Sequence, residues 1–271
     1  MTFSIVGRSA DGQSLGVAVA SKFLAVGAAV PAAEAAVGAI ATQAFANLAY
    51  RPQGLALLRT GTAAADAVAG LVAADPGRAS RQLGLVGPTG DGATYTGDEC
   101  FDWAGGVAGD GYAIQGNILA GPAVVAEMER AWLAGPGLPL ARRLHAALAA
   151  GDAAGGDSRG RQSAAILVVR PGAGYGGLSD VELDLRVDDD PDPVTRIGSL
   201  ISLWELYFGK PDPATLLPLE GELAGEVRDR LAALGHADLA AWAGIENLEE
   251  RLVDGAIDPL VLAQLRAAQP K

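Results

Sequence analysis

The stretch TFSIVGRSADGQSLGVAVAS, residues 2–21, decides the fold. It holds two runs of strand-forming residues, 2–9 and 15–21, on either side of a short polar segment. That segment contains Asp11-Gly12, and Asp-Gly between two such runs is a strong signal for a tight turn between antiparallel strands. Residues 2–21 are therefore predicted to form a β-hairpin.

Beyond the hairpin, blocks of strands alternate with pairs of helices. Residues 26–44 are predicted to form two more strands, or helix, because alanine is abundant there. This order lacks the strict strand–helix alternation of a doubly wound parallel sheet. It predicts an α+β fold in which two stacked, largely antiparallel sheets are covered by helices on both outer faces. The remaining strands are predicted at 82–86, 93–96, 101–104, 112–115, 163–170 and 181–187, and the helices at 54–59, 62–74, 122–133, 140–149 and 193–208.

A proline-containing break at Pro211-Asp212-Pro213 predicts a domain boundary. The residues before it are apolar enough to form a core of their own. We therefore expect a main domain at residues 1–210 and a small helical domain at residues 211–271. Helices in the small domain are predicted at 222–234, 237–243, 246–253 and 259–267.

Composition and charge exclude several classes of function. Half of the 271 residues are hydrophobic and 19% are charged, which permits a large core and excludes wholesale disorder. The formal net charge of −12 argues against a nucleic-acid partner, because nucleic-acid binding needs a basic patch. No apolar run reaches the roughly 20 residues that span a bilayer, and residues 1–5 lack the features of a signal peptide. We therefore expect no membrane partner and a cytoplasmic protein.

The side chains that usually hold metals or act in triads are scarce. The single cysteine, Cys100, excludes an internal disulfide and a cysteine-based zinc site, and we interpret it as a packed or surface thiol. His145 and His236 lie in or beside helical segments, and no serine sits in a GxSxG motif. We predict no metal site and no Ser-His-Asp triad, and no cofactor is implied.

Thr2 is the sharpest candidate for catalysis. Methionine aminopeptidases remove Met1 before a small second residue, and this would leave Thr2 with a free α-amine beside its own hydroxyl. Such an amine has a pKa of about 7.7–8.0, so a useful fraction is neutral near pH 7 and can act as the base for the hydroxyl. One residue then supplies both nucleophile and base. The alternative is that Thr2 is simply a strand-forming residue at the end of a hairpin.

The hairpin places two further polar residues near Thr2. A turn centred on Asp11-Gly12 sets Thr2 opposite Ser21, and a register one residue longer sets it opposite Lys22. A lysine there would lower the proton affinity of the amine and stabilise an oxyanion. The alternative is that Lys22 is a solvated residue at a strand end.

Asn117 follows the predicted strand at 112–115 and precedes the helix at 122–133. Its side-chain amide is a candidate donor to an oxyanion. The alternative is that Gly116-Asn117 makes a turn and caps the next helix.

The glycine-rich loop before the strand at 163–170 is a candidate substrate-binding loop that contains Asp157, Arg159 and Gln162. Its two arginines, Arg159 and Arg161, can grip a substrate carboxylate bidentately. The alternative is that they form surface ion pairs, which suits Arg161 better than Arg159.

Several of these stretches together resemble a bacterial and archaeal family known as domain of unknown function 1028, which is placed in the Ntn-hydrolase (N-terminal nucleophile) superfamily. The resemblance covers residues 2–210. It rests on TFSIVGRSADGQSLGVAVASKFLAVGAAVP at 2–31, GAIATQAFAN at 38–47, RQLGLV at 81–86, WAGGVAGDGYAIQGNILAG at 103–121, AGGDSRGRQSAAILVVR at 154–170 and DLRVDDDPDPV at 184–194.

The superfamily resemblance implies a four-layer αββα sandwich and hydrolysis of an amide bond by an N-terminal Thr, Ser or Cys. Thr2 matches that nucleophile. Lys22 resembles the lysine at the end of the second strand in proteasome-type members, although it comes earlier in the chain. The implied activity is an amidohydrolase that cleaves a C–N bond of a small molecule or short peptide.

The tail, above all residues 231–266, resembles a peptidoglycan-binding domain that accompanies this family. A packed helical appendage or a dimerisation element is an equally good interpretation, so a homodimer is one expected assembly. The alternative function is a non-catalytic binding protein on the Ntn scaffold that recognises cell-wall fragments.

Overall fold

The computed structural model describes residues 2–269. The chain divides into two compact units, Met1–Leu200 and Ile201–Lys271, and the division falls inside the helix Pro193–Phe208. The domain boundary that the sequence predicts, after residue 210, stays a prediction.

Two antiparallel sheets form the centre of the first unit. The strands are β1 (Thr2–Arg8), β2 (Leu15–Ser21), β3 (Pro31–Glu34), β4 (Gly38–Ala44), β5 (Arg81–Val86), β6 (Ala93–Thr96), β7 (Gly105–Gly109), β8 (Tyr112–Asn117), β9 (Ser163–Val169) and β10 (Val181–Val187). A six-stranded sheet has the order β10-β9-β2-β1-β8-β7, and a four-stranded sheet has the order β3-β4-β5-β6. The sequence prediction of mixed strands and helices with antiparallel sheets is confirmed.

The hairpin of β1 and β2 has the register that the sequence predicts. Its pairs run from Phe3↔Ala20 to Arg8↔Leu15. The two strands lie in the middle of the sheet and are buried along nearly their whole length. A strand that is covered on both faces needs a nearly continuous apolar run rather than a polar–apolar alternation, and this explains their sequence.

The two sheets pack face to face through small aliphatic side chains. The shared core contains Val6, Val17 and Val19 from the six-stranded sheet, and Ala41 and Val86 from the four-stranded sheet. Their small volume allows close approach of the sheets, so polar side chains at the sheet ends can reach across the gap.

The helices before the C-terminal region are α1 (Val26–Ala29), α2 (Tyr50–Arg59), α3 (Ala64–Ala74), α4 (Ala123–Ala134), α5 (Leu140–Ala153) and α6 (Pro193–Phe208). Helices α2 and α3 pack on the four-stranded sheet, where Tyr50 and Leu71 meet Leu85. Helices α4 and α5 pack on the six-stranded sheet, where a Cβ on Gly7 would lie 2.5 Å from the Trp132 ring. Glycine at position 7 therefore admits the indole.

Two sequence predictions about local structure are wrong. The strand predicted at 101–104 lies at Gly105–Gly109, where glycines allow close pairing with β8, so aromatic content was a misleading signal. The helix predicted at 246–253 is reduced to a 3-10 turn at Glu249–Arg251, since the chain must reverse there to build the next short strand.

The second unit is a small helical structure with its own core. Helices α7 (Gly221–Ala233), α8 (Leu239–Ile245) and α9 (Pro259–Ala267) enclose the buried Trp242, and the strands β11 (Leu217–Pro218) and β12 (Ala256–Ile257) pair with each other. The predicted C-terminal helical region is therefore present.

Across residues 2–269, none of the helices combines the length and the apolar character that a bilayer crossing requires.

Candidate active site

Four polar residues lie side by side at one end of the six-stranded sheet. The strand order β9-β2-β1-β8 and the register pairs Ser163↔Ser21 and Thr2↔Asn117 place them in a row. Oγ1 of Thr2 lies 3.1 Å from Oγ of Ser21. Every member of the row is buried, and Thr2 is only 6% exposed. Of the two registers that the sequence allows, the structure has the one in which Thr2 faces Ser21 and not the one in which it faces Lys22, and Asn117 lies on the other side of Thr2.

Two glutamines of the four-stranded sheet support this row from across the gap. Nε2 of Gln43 donates to the backbone oxygen of Thr2 at 3.2 Å and to Oε1 of Gln82 at 2.8 Å. Nε2 of Gln82 donates to the carbonyl oxygen of Gly116 at 2.7 Å, which fixes the orientation of the Gln82 amide. Oε1 of Gln82 then accepts a hydrogen bond from Nδ2 of Asn117 at 2.9 Å. The Asn117 side chain is thus held with its NH₂ group on a defined acceptor.

The buried network continues one step deeper, to Ser4 and Gln115. Oγ of Ser4 donates to Oε1 of Gln43 at 2.7 Å, and Nε2 of Gln115 donates to Oγ of Ser4 at 2.6 Å. Sequence reasoning missed these side chains and both supporting glutamines. The sequence signal for them was glutamine inside strands that are otherwise apolar. A buried amide needs several hydrogen-bond partners, so such a glutamine indicates other polar side chains close to it.

A cavity of about 220 Å³ opens beside Asn117. Phe45 and Phe101 are 65% and 64% exposed as whole residues, and the Arg159 side chain is 45% exposed. The cavity therefore combines aromatic surface with a guanidinium group next to the row that contains Thr2. The full lining is Ala44, Phe45, Ser80, Glu99, Cys100, Phe101, Asn117, Ile118 and Arg159.

Two lining residues have backbone conformations that non-glycine residues rarely adopt. Ala44 has φ of 65° and Ile118 has φ of 51°. A positive φ is costly for a β-branched residue such as Ile118, and strain of this kind concentrates at functional sites. Hydrogen bonds from Ile118 N to the Phe101 oxygen, at 2.9 Å, and from Ser158 N to the Ile118 oxygen, at 3.2 Å, hold this conformation.

Asp157 organises the loop that the sequence predicts for substrate binding. Its buried carboxylate accepts hydrogen bonds from Lys22 N at 2.7 Å and from Arg159 N at 2.9 Å, and forms an ion pair with the Arg159 guanidinium at 3.2 Å. Nζ of Lys22 donates to the carbonyl oxygen of Arg161 at 3.2 Å. The Lys22 ammonium is thus hydrogen-bonded to this loop.

The other two loop residues face different partners. The Gln162 amide donates to Asp189 at 3.1 Å, and Arg161 forms an ion pair with Asp152 at 2.9 Å. The structure therefore brings Arg159 together with Asn117 at the cavity and places Gln162 elsewhere.

Asp75 anchors the segment that carries Phe45. Oδ2 of Asp75 accepts hydrogen bonds from Tyr50 at 2.8 Å and from Asn47 and Arg81 at 3.0 Å. Arg81 also donates to the backbone oxygen of Phe45 at 2.6 Å. The hydrogen bonds from Arg81 and Asn47 hold the pKa of the Asp75 carboxyl far below its ordinary value. The sequence analysis gave no role to Asp75, which directly follows the helix predicted at 62–74.

Cys100 is a poor nucleophile in this environment. Burial raises the pKa of its thiol above the ordinary value, so the reactive thiolate is depleted at neutral pH. Within residues 2–269, no group of three or more His, Cys, Asp or Glu side chains is arranged to hold a metal ion.

The protein is thus a mixed α/β protein with a buried polar site at the ends of its central strands. Residues 2–197 match the model of the "Family of unknown function (DUF1028)", and this chain belongs to that family. Residues 207–265 match the model described as "Putative peptidoglycan binding domain". Both resemblances stated from the sequence are therefore confirmed.

A solved structure supports the family assignment. The chain is similar to the crystal structure of a DUF1028 protein from Silicibacter pomeroyi, with 30% sequence identity and a TM-score of 0.67. The similarity covers 84% of this chain and 93% of that chain. Among curated proteins, none matches this chain in sequence.

Proposed function

We propose that this protein is an N-terminal nucleophile hydrolase with an αββα scaffold, and that it cleaves an amide C–N bond with Thr2 as nucleophile. The observation that carries the proposal is the position of the Thr2 hydroxyl. It lies 3.1 Å from Oγ of Ser21, at the end of a central strand, and its register partner Asn117 lines the cavity. A small hydroxyl residue beside an amide donor and a cavity is the arrangement that acyl transfer needs.

The proposed reaction has two halves. In the first, the free α-amine of Thr2 takes the proton from Oγ1, which attacks the substrate carbonyl carbon. The oxyanion accepts a hydrogen bond from Nδ2 of Asn117, and the leaving amine receives the proton as the C–N bond breaks. In the second half, the same α-amine activates a water molecule that hydrolyses the ester, which releases a carboxylic acid and restores Thr2. Neither half uses a cofactor.

The neighbours of Thr2 have supporting roles in this proposal. Ser21 orients the Thr2 hydroxyl through their mutual hydrogen bond. Lys22 lowers the proton affinity of the α-amine through space, and Arg159 binds the substrate with Asp157 fixing its position. The mechanism requires removal of Met1, which lies outside the described residues. Gln162, bonded to Asp189, would act only by stabilising the loop.

The test combines intact mass with activity. Protein whose measured mass shows loss of Met1 is screened against amides and short peptides, with the variants Thr2→Ala and Thr2→Ser and the exposed control Thr89→Ala. We expect Thr2→Ala to lose activity by orders of magnitude, Thr2→Ser to retain part of it, and the control to match wild type. Turnover by Thr2→Ala or by Met1-retaining protein at the wild-type rate would falsify the mechanism.

Binding without catalysis is the second candidate function, and the family match at residues 207–265 favours it. In that case the C-terminal unit recognises peptidoglycan fragments. Cosedimentation of the full chain with purified insoluble peptidoglycan tests this, and a chain that ends at Lys210 is the control. Equal cosedimentation of both chains would count against recognition by the C-terminal unit.

A further inference from the structure

The cavity beside Asn117 is lined by two residues of opposite charge. Arg159 is its cation and Glu99 is its anion. The Glu99 carboxylate is exposed and accepts a hydrogen bond from Oγ of Ser80 at 2.6 Å, so it is held against the cavity wall. A ligand with one charge only would be attracted to one of these groups and repelled by the other.

Arg159 is paired with Asp157, and its side chain is still 45% exposed at the cavity. Asp157 is buried and also accepts the backbone N–H groups of Lys22 and Arg159. It therefore fixes the guanidinium in place, and a preorganised guanidinium loses little entropy when it binds a carboxylate.

Apolar residues line the same cavity as the two charged residues. Phe45 and Phe101 are exposed residues that line the cavity, and Ile118 adds a branched aliphatic residue to the lining. Exposed aromatic rings at a concave site are a common means of binding apolar groups. The cavity volume of about 220 Å³ lies below the range of about 300–1,000 Å³ for drug-sized ligands, so a small occupant fits best.

We infer that this cavity binds a free dipeptide with an apolar side chain. The ammonium of the dipeptide pairs with Glu99, its carboxylate pairs with Arg159, and its side chain packs on Phe45 and Phe101. The inference rests on the proposed function for the role of the dipeptide as substrate, since its peptide carbonyl would then lie near Asn117 and Thr2. Binding itself requires no turnover.

The test is calorimetric titration of the full-length Thr2→Ala protein, which removes the proposed nucleophile. The probes are Gly-Phe, N-acetyl-Gly-Phe, Gly-Phe-amide and Gly-Gly. We expect Gly-Phe to bind at least about tenfold more tightly than each of the others, because each lacks one recognised group. No measurable binding of Gly-Phe to folded protein would overturn the inference, and so would binding of the amide and acetyl derivatives as tight as that of Gly-Phe.

Two variants assign the charges to residues. In the Thr2→Ala background, Arg159→Gln should weaken Gly-Phe about tenfold and leave Gly-Phe-amide unchanged, and Arg159→Lys should restore part of the loss. Glu99→Gln should weaken Gly-Phe similarly and leave N-acetyl-Gly-Phe unchanged. Equal weakening of all probes would contradict the assignment. If Gly-Phe binds as expected but processed wild type leaves it intact, the proposed hydrolase function fails while the inferred ligand class stands.

Discussion

Gly84 of β5 and Gln115 of β8 approach so closely that a Cβ on residue 84 would lie 2.0 Å from Oε1 of Gln115. Among residues 2–269, Oε1 of Gln115 is the buried side-chain atom that lacks a hydrogen-bond partner. Its amide nitrogen is committed to Ser4, and a flip of the amide would set Oε1 against the carbonyl oxygen of Ser4. The absence of a side chain at Gly84 therefore lets the polar network pass between the sheets.

Gly84→Ala should destabilise the protein by about 2 kcal/mol, because the new methyl group must displace the buried Gln115 amide from Ser4. Gly70→Ala in α3 is the matched control, since a Cβ there meets nothing within 4 Å. We expect the control to raise stability by about 0.5–1 kcal/mol, as helix propensity dictates. Chemical denaturation measures both changes, and a Gly84→Ala protein as stable as wild type would refute the close contact.

Asp75→Asn should destabilise the protein by about 3 kcal/mol and weaken Gly-Phe binding. Oδ2 accepts three donors and Oδ1 accepts the N–H of Gly77 at 2.7 Å, so an amide nitrogen at either position faces a donor. The weakened binding follows from the loss of support for Phe45 through Arg81. Thermal melts and calorimetry measure the two effects. The exposed Asp66→Asn should change neither, and unaltered Gly-Phe affinity in Asp75→Asn would show that the Phe45 segment is held by other contacts.

The contribution of Asp75 to stability should depend on pH in a defined direction. Its pKa in the folded protein is lower than the value of about 3.9 expected in the unfolded chain, so the unfolded state binds the proton first as pH falls. The stabilisation is fully present above about pH 5 and declines as the pH falls through the unfolded pKa toward the folded one. The difference in melting temperature between wild type and Asp75→Asn should therefore narrow between pH 5 and pH 2. A difference that stays constant over this range would show that ionisation of the Asp75 carboxyl does not contribute to stability.

Arg251→Met should destabilise only the second unit. The Arg251 guanidinium is 6% exposed, forms an ion pair with Asp258 at 2.7 Å and donates to the backbone oxygen of Leu206 at 2.6 Å. Loss of the cation leaves a buried carboxylate without its partner, which typically costs about 3–5 kcal/mol. Hydrogen exchange should show faster exchange in α7 and α9 and no change in β1 and β8. Arg228→Met, on the exposed face of α7, is the control.

A chain that ends at Lys210 should fold with a cooperative thermal transition. The first compact unit ends at Leu200, and its two sheets and helices α1 to α5 lie before that residue. Differential scanning calorimetry of the shortened chain tests this expectation. Aggregation without a transition would show that the C-terminal unit is required for folding and that the predicted boundary after residue 210 is wrong.

The parts of the fold that were predictable from sequence are those set by local signals. Asp11-Gly12 and the flanking apolar runs determine the first hairpin, and its register follows from the position of the turn. The pairing of Thr2 with Asn117 was not predictable, because it joins residues far apart in sequence and no local pattern specifies the partner strand. The direction of the Lys22 ammonium also depends on a tertiary contact, the carbonyl oxygen of Arg161.

The sequence marks the glutamines inside apolar strands, but it does not show that they are buried together. A glutamine in a strand is typical of a solvent-facing position, and only the opposing sheet turns that position into an interior one. Gln43 and Gln82 come from the second sheet, and Gln115 comes from the first. These glutamines are buried only because the two sheets pack against each other. Sequence periodicity describes one strand at a time, so it does not predict this burial.

The central position of β1 sets an order of events during synthesis. β2 follows at once in the same hairpin, but β8 ends at Asn117, so one edge of β1 stays unpaired until that residue has left the ribosome. N-terminal trimming enzymes can reach an open strand, whereas Thr2 in the finished fold is 6% exposed. The proposed mechanism therefore requires Met1 to be removed while the chain is still on the ribosome, before β8 pairs with β1.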